Sequence, residues 1–590
     1  MAKDLELEKK DTDELLEHWK DEIRRGLRYR KQFGLDETWP EYRNYYRHFF
    51  EEGTVNTNLV YSSIAAESPS IMYAFPHITV SPLRPGYEAF AYLMESIDNR
   101  LAFQQNLADE ARDIIIDVAT TGVGPIILGY DSQFGYSMKS EGAFEEGKTN
   151  TNRDPKTFNR LEYETTVQSG MPWALRCLPE DFLVPWGLSR FSETPWFAFK
   201  VVRPLRDVQA DPKYDGKARD NIESSKSVDY ETHPETDKRF TEGGYPDELQ
   251  PVFMWEIHDR RTGMVYVISD GCEYFLRKEV DVLQTRLGLP AEVLQFVKDP
   301  MYFWGIPEVR YYKAHQQEMN EIIDQRRAFR KAALLRFLIQ KGVLASGMYE
   351  KLLSGDPVLW LEVENATGIK DALITLQPII PPDFTSLKED IWNDVRTVMG
   401  KSKPYMGEQL GKTHITATET NTAMQQAGAR DMEKREKMAG FIEKVISKEN
   451  EILFKHWDQN QVQQVVGPDL MTYWVQFKGS QLRSDYLIQV AVDEMAPVTR
   501  ETKIKEAQGL LELMSKDQTF TQAFPDAAMQ IRKTLMAQFS WLNFRSFGPS
   551  EGVGNNPQQP MSPEQFAGQF PQMQQRGRGK APPNLEVAKR

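Results

Sequence analysis

The sequence predicts an α+β protein built in several parts, and three observations carry that expectation. Up to about residue 298, short apolar runs punctuated by proline alternate with amphipathic helical stretches. From Asp299 onward, long helical stretches with few breakers take over. A chain of 590 residues, 40% hydrophobic and 27% charged, is also long enough for several domain-sized units around a large core.

The first thirty residues set Leu15, Trp19, Ile23 and Leu27 four apart, on one face of a helix. The aromatic stretch "TWPEYRNYYRHFF" follows, with Trp39, Tyr42, Tyr45 and Tyr46 at helical spacing, which suits core or interface packing. A strand-and-helix segment from Val55 and a helix over about 86–121 come next. Gly122, Gly124 and Pro125 in "TTGVGPIILGYD" end that helix, and Ile126 to Tyr130 reads as a strand. The polar runs 131–159 and 211–248 read as surface excursions. "WALRCLPEDFLVPW" and "TPWFAFKVVRP" read as short strands. "PVFMWEIHDRRTGMVYVIS" reads as a hairpin turning at Arg261-Thr262-Gly263.

The second half starts with a helix from Pro307 to near Gly342. A compact insert carries the strand-like "PVLWLEVE" and the apolar "ALITLQPII". Pro382 and Asp383 start a returning helix with the stripe Leu387, Ile391, Val395, Val398. A Gly- and Thr-rich loop leads to one very long helix, Glu419 to about Trp457, where Met432, Met438, Phe441, Val445, Leu453 and Phe454 are spaced for burial. "YWVQFKG" and "DYLIQVAVDE" read as strands, and two helices close the folded part. The Gly-, Pro- and Gln-rich segment from Gly548 is expected to be disordered.

Charge and motifs narrow the function. Phosphate neutralisation supplies most of the affinity of tight DNA binders. A net charge of −14 therefore leaves room only for nucleic-acid contacts that are local, weak or made for sliding. Two cysteines, Cys177 and Cys272, offer neither a disulfide framework nor a thiolate metal set, which fits a reducing compartment. The charged N-terminus lacks the apolar core of a signal peptide, and no apolar run nears the roughly 18 residues that span a bilayer, so a soluble, unsecreted protein is expected.

One stretch invites an enzymatic reading. "GEQLGKT", Gly407 to Thr413, ends like a phosphate-binding loop, and Asp493 closes a strand-like run downstream. The loop chemistry needs four residues between the first glycine and Gly-Lys-Thr, so that successive N–H groups can wrap the phosphates. Met406 holds the place of that glycine, and the segment leaves a helix instead of a strand. His315 and His414 have no Cys, Ser or carboxylate partner at a motif-like spacing, and neither a metal pattern nor a nucleophile elbow is present. No catalytic residue, metal or cofactor is expected.

The order of pieces and the local wording over residues 38 to 515 resemble the portal (head-to-tail connector) proteins of tailed bacteriophages. The resemblance is carried by "WPEYRNYYR" with "VNTNLVYSSIAAESPSIMYAFPHITVSP", by "ARDIIIDVATTGVGPIILGYD" and by "CLPEDFLVPWGLSRFSETPWFAFKVV". "GIPEVRYYKAHQQEMNEIIDQRR" and "THITATETNTAMQQAGARDMEKR" extend it. It implies a portal-like α+β fold: a mixed α/β wing over 1–298, a first stem helix over 299–342, a small α/β clip over 343–381 and a second stem helix over 382–400. A tunnel loop over 401–418, a long wing helix with wing strands over 419–497, a helical crown over 498–547 and a disordered tail over 548–590 complete it.

The same resemblance implies a dodecameric homo-oligomeric ring at one capsid vertex of a virion. Double-stranded DNA would pass its channel without sequence specificity during packaging and ejection. The terminase large subunit would dock on the clip before the head-completion or tail adaptor proteins, with major capsid and scaffolding proteins as further partners. No membrane and no enzymatic activity are expected. A different class of protein, an ATP-dependent nucleic-acid translocase built on Gly407–Thr413 and Asp493, is the alternative; a multidomain scaffold that never forms rings is a third.

Two basic groups are the candidate sites. Lys401, Lys403 and Lys412 face the single acid Glu408 in the loop; the residues alone give a solvated loop, and the resemblance turns the lysines toward DNA. Arg326, Arg327, Arg330, Lys331, Arg336 and Lys341 follow one another without an intervening acid. Their like-charged i,i+4 pairs are unfavourable on an isolated helix. An outside partner would relieve them: carboxylates of a neighbouring subunit, with Glu389, Asp390 and Asp394 as candidates, or DNA. A solvated face is the plain alternative.

Overall fold

The computed structural model describes residues 2–50, 57–131, 171–223, 251–270, 272–332, 336–339, 373–376, 383–400, 417–457, 461–466, 472–495 and 562–568. The chain divides into two units, one of residues 1–41, 64–308 and 428–590 and one of residues 42–63 and 309–427. The fold is α+β. It opens with α1 (Ala2–Gln32), α2 (Leu35–Tyr46), α3 (Leu59–Ile71), β1 (Ile78–Pro82), α4 (Glu88–Gln104), α5 (Leu107–Thr121) and β2 (Gly124–Asp131). The middle holds β3 (Met171–Arg176), β4 (Phe182–Leu183), β5 (Trp196–Pro204), α6 (Leu205–Ala210), α7 (Gly216–Asn221), β6 (Pro251–Asp259), β7 (Met264–Ser269), β8 (Arg277–Val280) and β9 (Ala291–Leu294). Then come α8 (Val309–Ala332), β10 (Arg336–Ile339), β11 (Leu373–Leu376), α9 (Asp383–Met399) and α10 (Ala417–His456). Last are β12 (Gln461–Val466), β13 (Thr472–Phe477), β14 (Tyr486–Val490) and α11 (Pro563–Gly568). No described helix is long and apolar enough to cross a membrane.

In the first unit, β4 to β8 form a five-stranded antiparallel meander in chain order, with β6 and β7 as the hairpin the sequence predicts. Side chains alternate across a strand, so this sheet has two faces to cover. Trp255, Ile257, Tyr266 and Ile268 meet Leu16, Trp19, Ile23 and Leu27 of α1. Val252, Met254, Val265 and Val267 meet Val208, Tyr214 and Ala218 from the α6–α7 region. The polar run 211–248 thus contains a short helix, α7, that the sequence reading missed; Asp215 caps it by accepting from the Lys217 and Ala218 N–H groups.

A second core lies between α4, α5 and α10, with β1 and β14 paired antiparallel beside them. α10 buries Met438, Phe441, Val445, Leu453 and Phe454 as expected, but Met432 is 39% exposed. The helix predicted over 86–121 is two helices, α4 and α5. Asn106 interrupts them in the left-handed region at φ 55°, a conformation asparagine tolerates better than other side chains. Of the strand-and-helix segment expected from Val55, the described residues give a helix, α3, followed by a strand, β1. β12 was not foreseen, since its Gln-rich sequence hides its pairing with β13. Within the segment expected to be disordered, Pro563–Gly568 forms a short helix in contact with α4 and β13. The remaining tail, the 498–547 region, the polar run 131–159 beyond Asp131 and "PVLWLEVE" lie outside the described residues.

Candidate functional site

Within the first unit, the segment that ends at Glu308 is held by backbone packing. Gly122 ends α5 at φ +85°, and a Cβ there would come within 2.4 Å of the Gly305 carbonyl oxygen. A Cβ on Gly305 would in turn meet the Gly122 carbonyl oxygen at 2.3 Å. Two glycines are therefore needed for the segment before α8 to lie across this turn. Glu308, the last residue before α8, shares the Lys434 ammonium of α10 with Glu67 of α3. Lys437 holds the Phe296 carbonyl at 2.7 Å and Arg435 the Ser70 carbonyl at 2.7 Å. Burial, then the charge of Glu67, raises the Glu308 carboxyl to about 7 against the pull of Lys434. Lys434 keeps its proton more firmly than usual, because the two carboxylates outweigh its own burial.

α8 and α9 pack on each other within the second unit. Val309, Tyr312, Gln316, Met319 and Ile322 recur at three- and four-residue spacing and are buried on α8. Gln316 is fully buried and fully used. Its Oε1 accepts from the Leu59 N–H at 2.6 Å, and its Nε2 donates to the Thr57 carbonyl at 3.0 Å and to Asn320 at 2.8 Å. With Asn58 accepting from the Tyr61 N–H at 2.8 Å, it satisfies the open end of α3. Of the stripe expected on α9, Ile391 and Val395 are buried, whereas Leu387 is 42% and Val398 40% exposed.

The basic group expected on one helix is divided. Arg326 and Arg330 are exposed on α8, Arg327 is half-buried and Lys331 lies in the last turn. Neither Arg326 nor Arg330 pairs with a carboxylate among the described residues. Arg336 is not helical: α8 ends at Ala332, and Arg336–Ile339 pairs antiparallel with Leu373–Leu376. "RFLI" suits helix or strand locally, and the long-range ladder decides. Lys341 lies outside the described residues, as do Lys401, Lys403, Lys412 and the whole Gly407–Thr413 stretch. Glu389, Asp390 and Asp394 are exposed on α9, and Asp493 sits in a short turn, Val492–Met495, after β14. His315 is half-buried on α8, and its Nδ1 has no hydrogen-bond partner among the described residues.

Two charged networks escaped the sequence reading because their members are far apart in the chain. One is the Glu67–Glu308–Lys434 group. The other surrounds His258, which stacks flat on Phe197 with centroids 4.9 Å apart. Its Nδ1 meets Asp281 at 2.7 Å and its Nε2 meets Glu256 at 3.5 Å. Burial lowers the imidazole pKa, but the two carboxylates prevail and lift it to about 9. Both ring nitrogens are occupied, so this histidine braces the sheet and has no lone pair to offer a metal or substrate. Cys177 and Cys272 are both buried free thiols.

No family model matches the chain, and no curated protein matches it. A solved structure described as "Virion of native gene transfer agent (GTA) particle" is similar over 70% of this chain and 81% of that chain. The two share 10% identity with a TM-score of 0.34, values too low to bear on what this chain does.

Proposed function

We propose that the chain is a portal-type connector: one subunit of a ring through which double-stranded DNA enters and leaves a capsid. The observation that carries this is the succession α8, β10 with β11, α9, α10: a 24-residue helix, a small β pairing, a returning 17-residue helix packed on the first, and a 40-residue helix. This is the stem, clip, stem and wing-helix order that the sequence resemblance implies. The exposed ends of the α9 stripe, and Arg326 and Arg330 without a carboxylate among the described residues, suit neighbours in a ring.

In this reading the chain hydrolyses nothing. It docks a packaging motor and later an adaptor through the β10–β11 end, and Lys401, Lys403 and Lys412 touch the passing phosphates only briefly. The pairing of β14 with β1 supports it: a magnesium-holding strand of a nucleotide-driven translocase belongs in a parallel sheet, and β14 is antiparallel.

Native mass spectrometry with negative-stain imaging of the full chain tests the proposal. A closed ring with a central hole is expected. A monomer that hydrolyses ATP and loses that activity in Lys412→Ala would overturn it in favour of the translocase.

A further inference from the structure

A cleft in the first unit carries charge opposite to that of the whole chain. It encloses about 790 Å³ between residues 189–194, residues 287–303 and one face of α10. Five cations line it, Arg190, Arg260, Lys298, Lys444 and Lys448, against two carboxylates, Glu292 and Asp299. Five against two leaves three positive charges, in a protein of net −14.

The carboxylates are already engaged. Glu292 holds the Lys448 ammonium at 2.8 Å, and Asp299 accepts from the Met301 N–H at 2.9 Å. Lys448 also donates to the Leu289 and Ala291 carbonyls at 2.8 and 2.7 Å, so it serves the fold. Burial first, and then Lys444 and Arg260, work against its proton; the cations lie close enough to repel one another. Arg260 donates to the Ser192 carbonyl at 3.1 Å, and Arg190 reaches Glu193 on the rim at 3.7 Å. Lys298 and Lys444 are exposed and have no ion-pair partner among the described residues. The Ser189 and Ser192 side chains add hydroxyls to the wall.

We propose that this cleft is a binding site for phosphate groups. Uncompensated like charges held together on a folded surface are a standing cost that a bound anion removes. Phosphate brings several acceptor oxygens and more than one charge into a small volume, and it bonds strongly to lysine and arginine. Carboxylates of a peptide stand on separate residues about 3.5 Å apart along the chain and fill the same space with less charge. The phosphates come either from a nucleic-acid backbone or from a free phosphate compound. The site uses none of the loop lysines, so it stands or falls independently of ring formation.

The test compares the full-length protein with Lys298→Ala/Lys444→Ala, two exposed and unpaired positions whose truncation leaves the core intact. Inorganic tripolyphosphate should raise the melting temperature of the wild type, with the double variant needing roughly tenfold more for the same rise. A short labelled DNA duplex, followed by anisotropy, separates the sources. Binding that depends on the two lysines identifies a nucleic-acid backbone, and a response to tripolyphosphate alone identifies a free phosphate compound. Equal responses of wild type and variant to both probes would overturn the proposal. So would competition by polyglutamate as strong as by tripolyphosphate, which would make the cleft a docking surface for an acidic protein segment.

Discussion

The five-stranded sheet and the α8–α9 pair differ in how completely they cover their own apolar surface. The sheet is closed on both faces within one chain, by α1 on one side and the α6–α7 region on the other. The helix pair is closed along one face, where Val309, Tyr312, Met319, Ile322, Ile391 and Val395 are buried, while Leu387, Val398 and Phe329 keep exposed surface at its margins. A sheet that needs nothing further is suited to be a rigid body. A helix pair with open margins is suited to meet copies of itself.

The strongest way to break that contrast is to disturb the closed body, the first unit. Trp19→Ala removes a side chain wedged between Trp196 and Tyr266, at centroid distances of 5.8 and 5.2 Å. It should destabilise the first unit by about 3–5 kcal/mol in urea titrations; a loss under 1 kcal/mol would mean the sheet is not the closed body described. Gly122→Ala, which places a Cβ against the Gly305 carbonyl at positive φ, should cost about 2 kcal/mol or more by the same measure.

Buried charge sharpens the contrast through pH. Burial lifts the Glu449 carboxyl of α10 from 4.5 to about 7. The folded state therefore binds that proton more tightly, so this contribution is complete below about pH 4.5 and is lost as pH rises through about 7. His258 shows the same sign in a higher window: its contribution is complete below about 6.5 and lost through about 9. Melting temperatures measured from pH 4 to 10 should show both declines. Glu449→Gln should make the lower one shallower without abolishing it, because Glu308 titrates in the same window, and His258→Gln should flatten the upper. An unchanged pH profile in either variant would show that its group does not titrate as the structure requires.

The smallest effects belong to the helix pair and the loop. Leu387→Ser should change the stability of the isolated subunit by no more than about 0.5 kcal/mol, while weakening assembly seen by native mass spectrometry. An equal loss of stability and assembly would make the margin of α9 a part of the fold instead of a contact surface. Lys412→Ala should leave ATP turnover at background.

Where local pattern and tertiary pairing agree, the sequence was legible. Its pattern gave Trp19, Ile23 and Leu27 of the α1 face, with Leu16 buried and Leu15 only half-buried, as well as the β6–β7 hairpin, the start of α9 and the full run of α10. It misled where local wording is ambiguous: "RFLI" fits a helix but joins β11, and the Gln-rich β12 lacks strict alternation yet pairs with the adjacent β13. Asn106 breaks a helix that no glycine or proline marks. The candidate site was legible only as charge. Arg326, Arg327 and Arg330 lie on the expected helix, but spacing along the chain says nothing of groups assembled from three distant segments, such as Glu67, Glu308 and Lys434.

The pairing of Ile78–Pro82 with Tyr486–Val490 sets a clock on biosynthesis. The partner of β1 emerges roughly 400 residues later, and at about 5–20 residues per second that is on the order of 20 to 80 s of translation. Throughout that interval β1 and the apolar faces of α4 and α5 wait for α10 and β14, which complete their core. A chain cut short anywhere before Tyr486 therefore carries an open strand edge, the kind of surface on which chains aggregate.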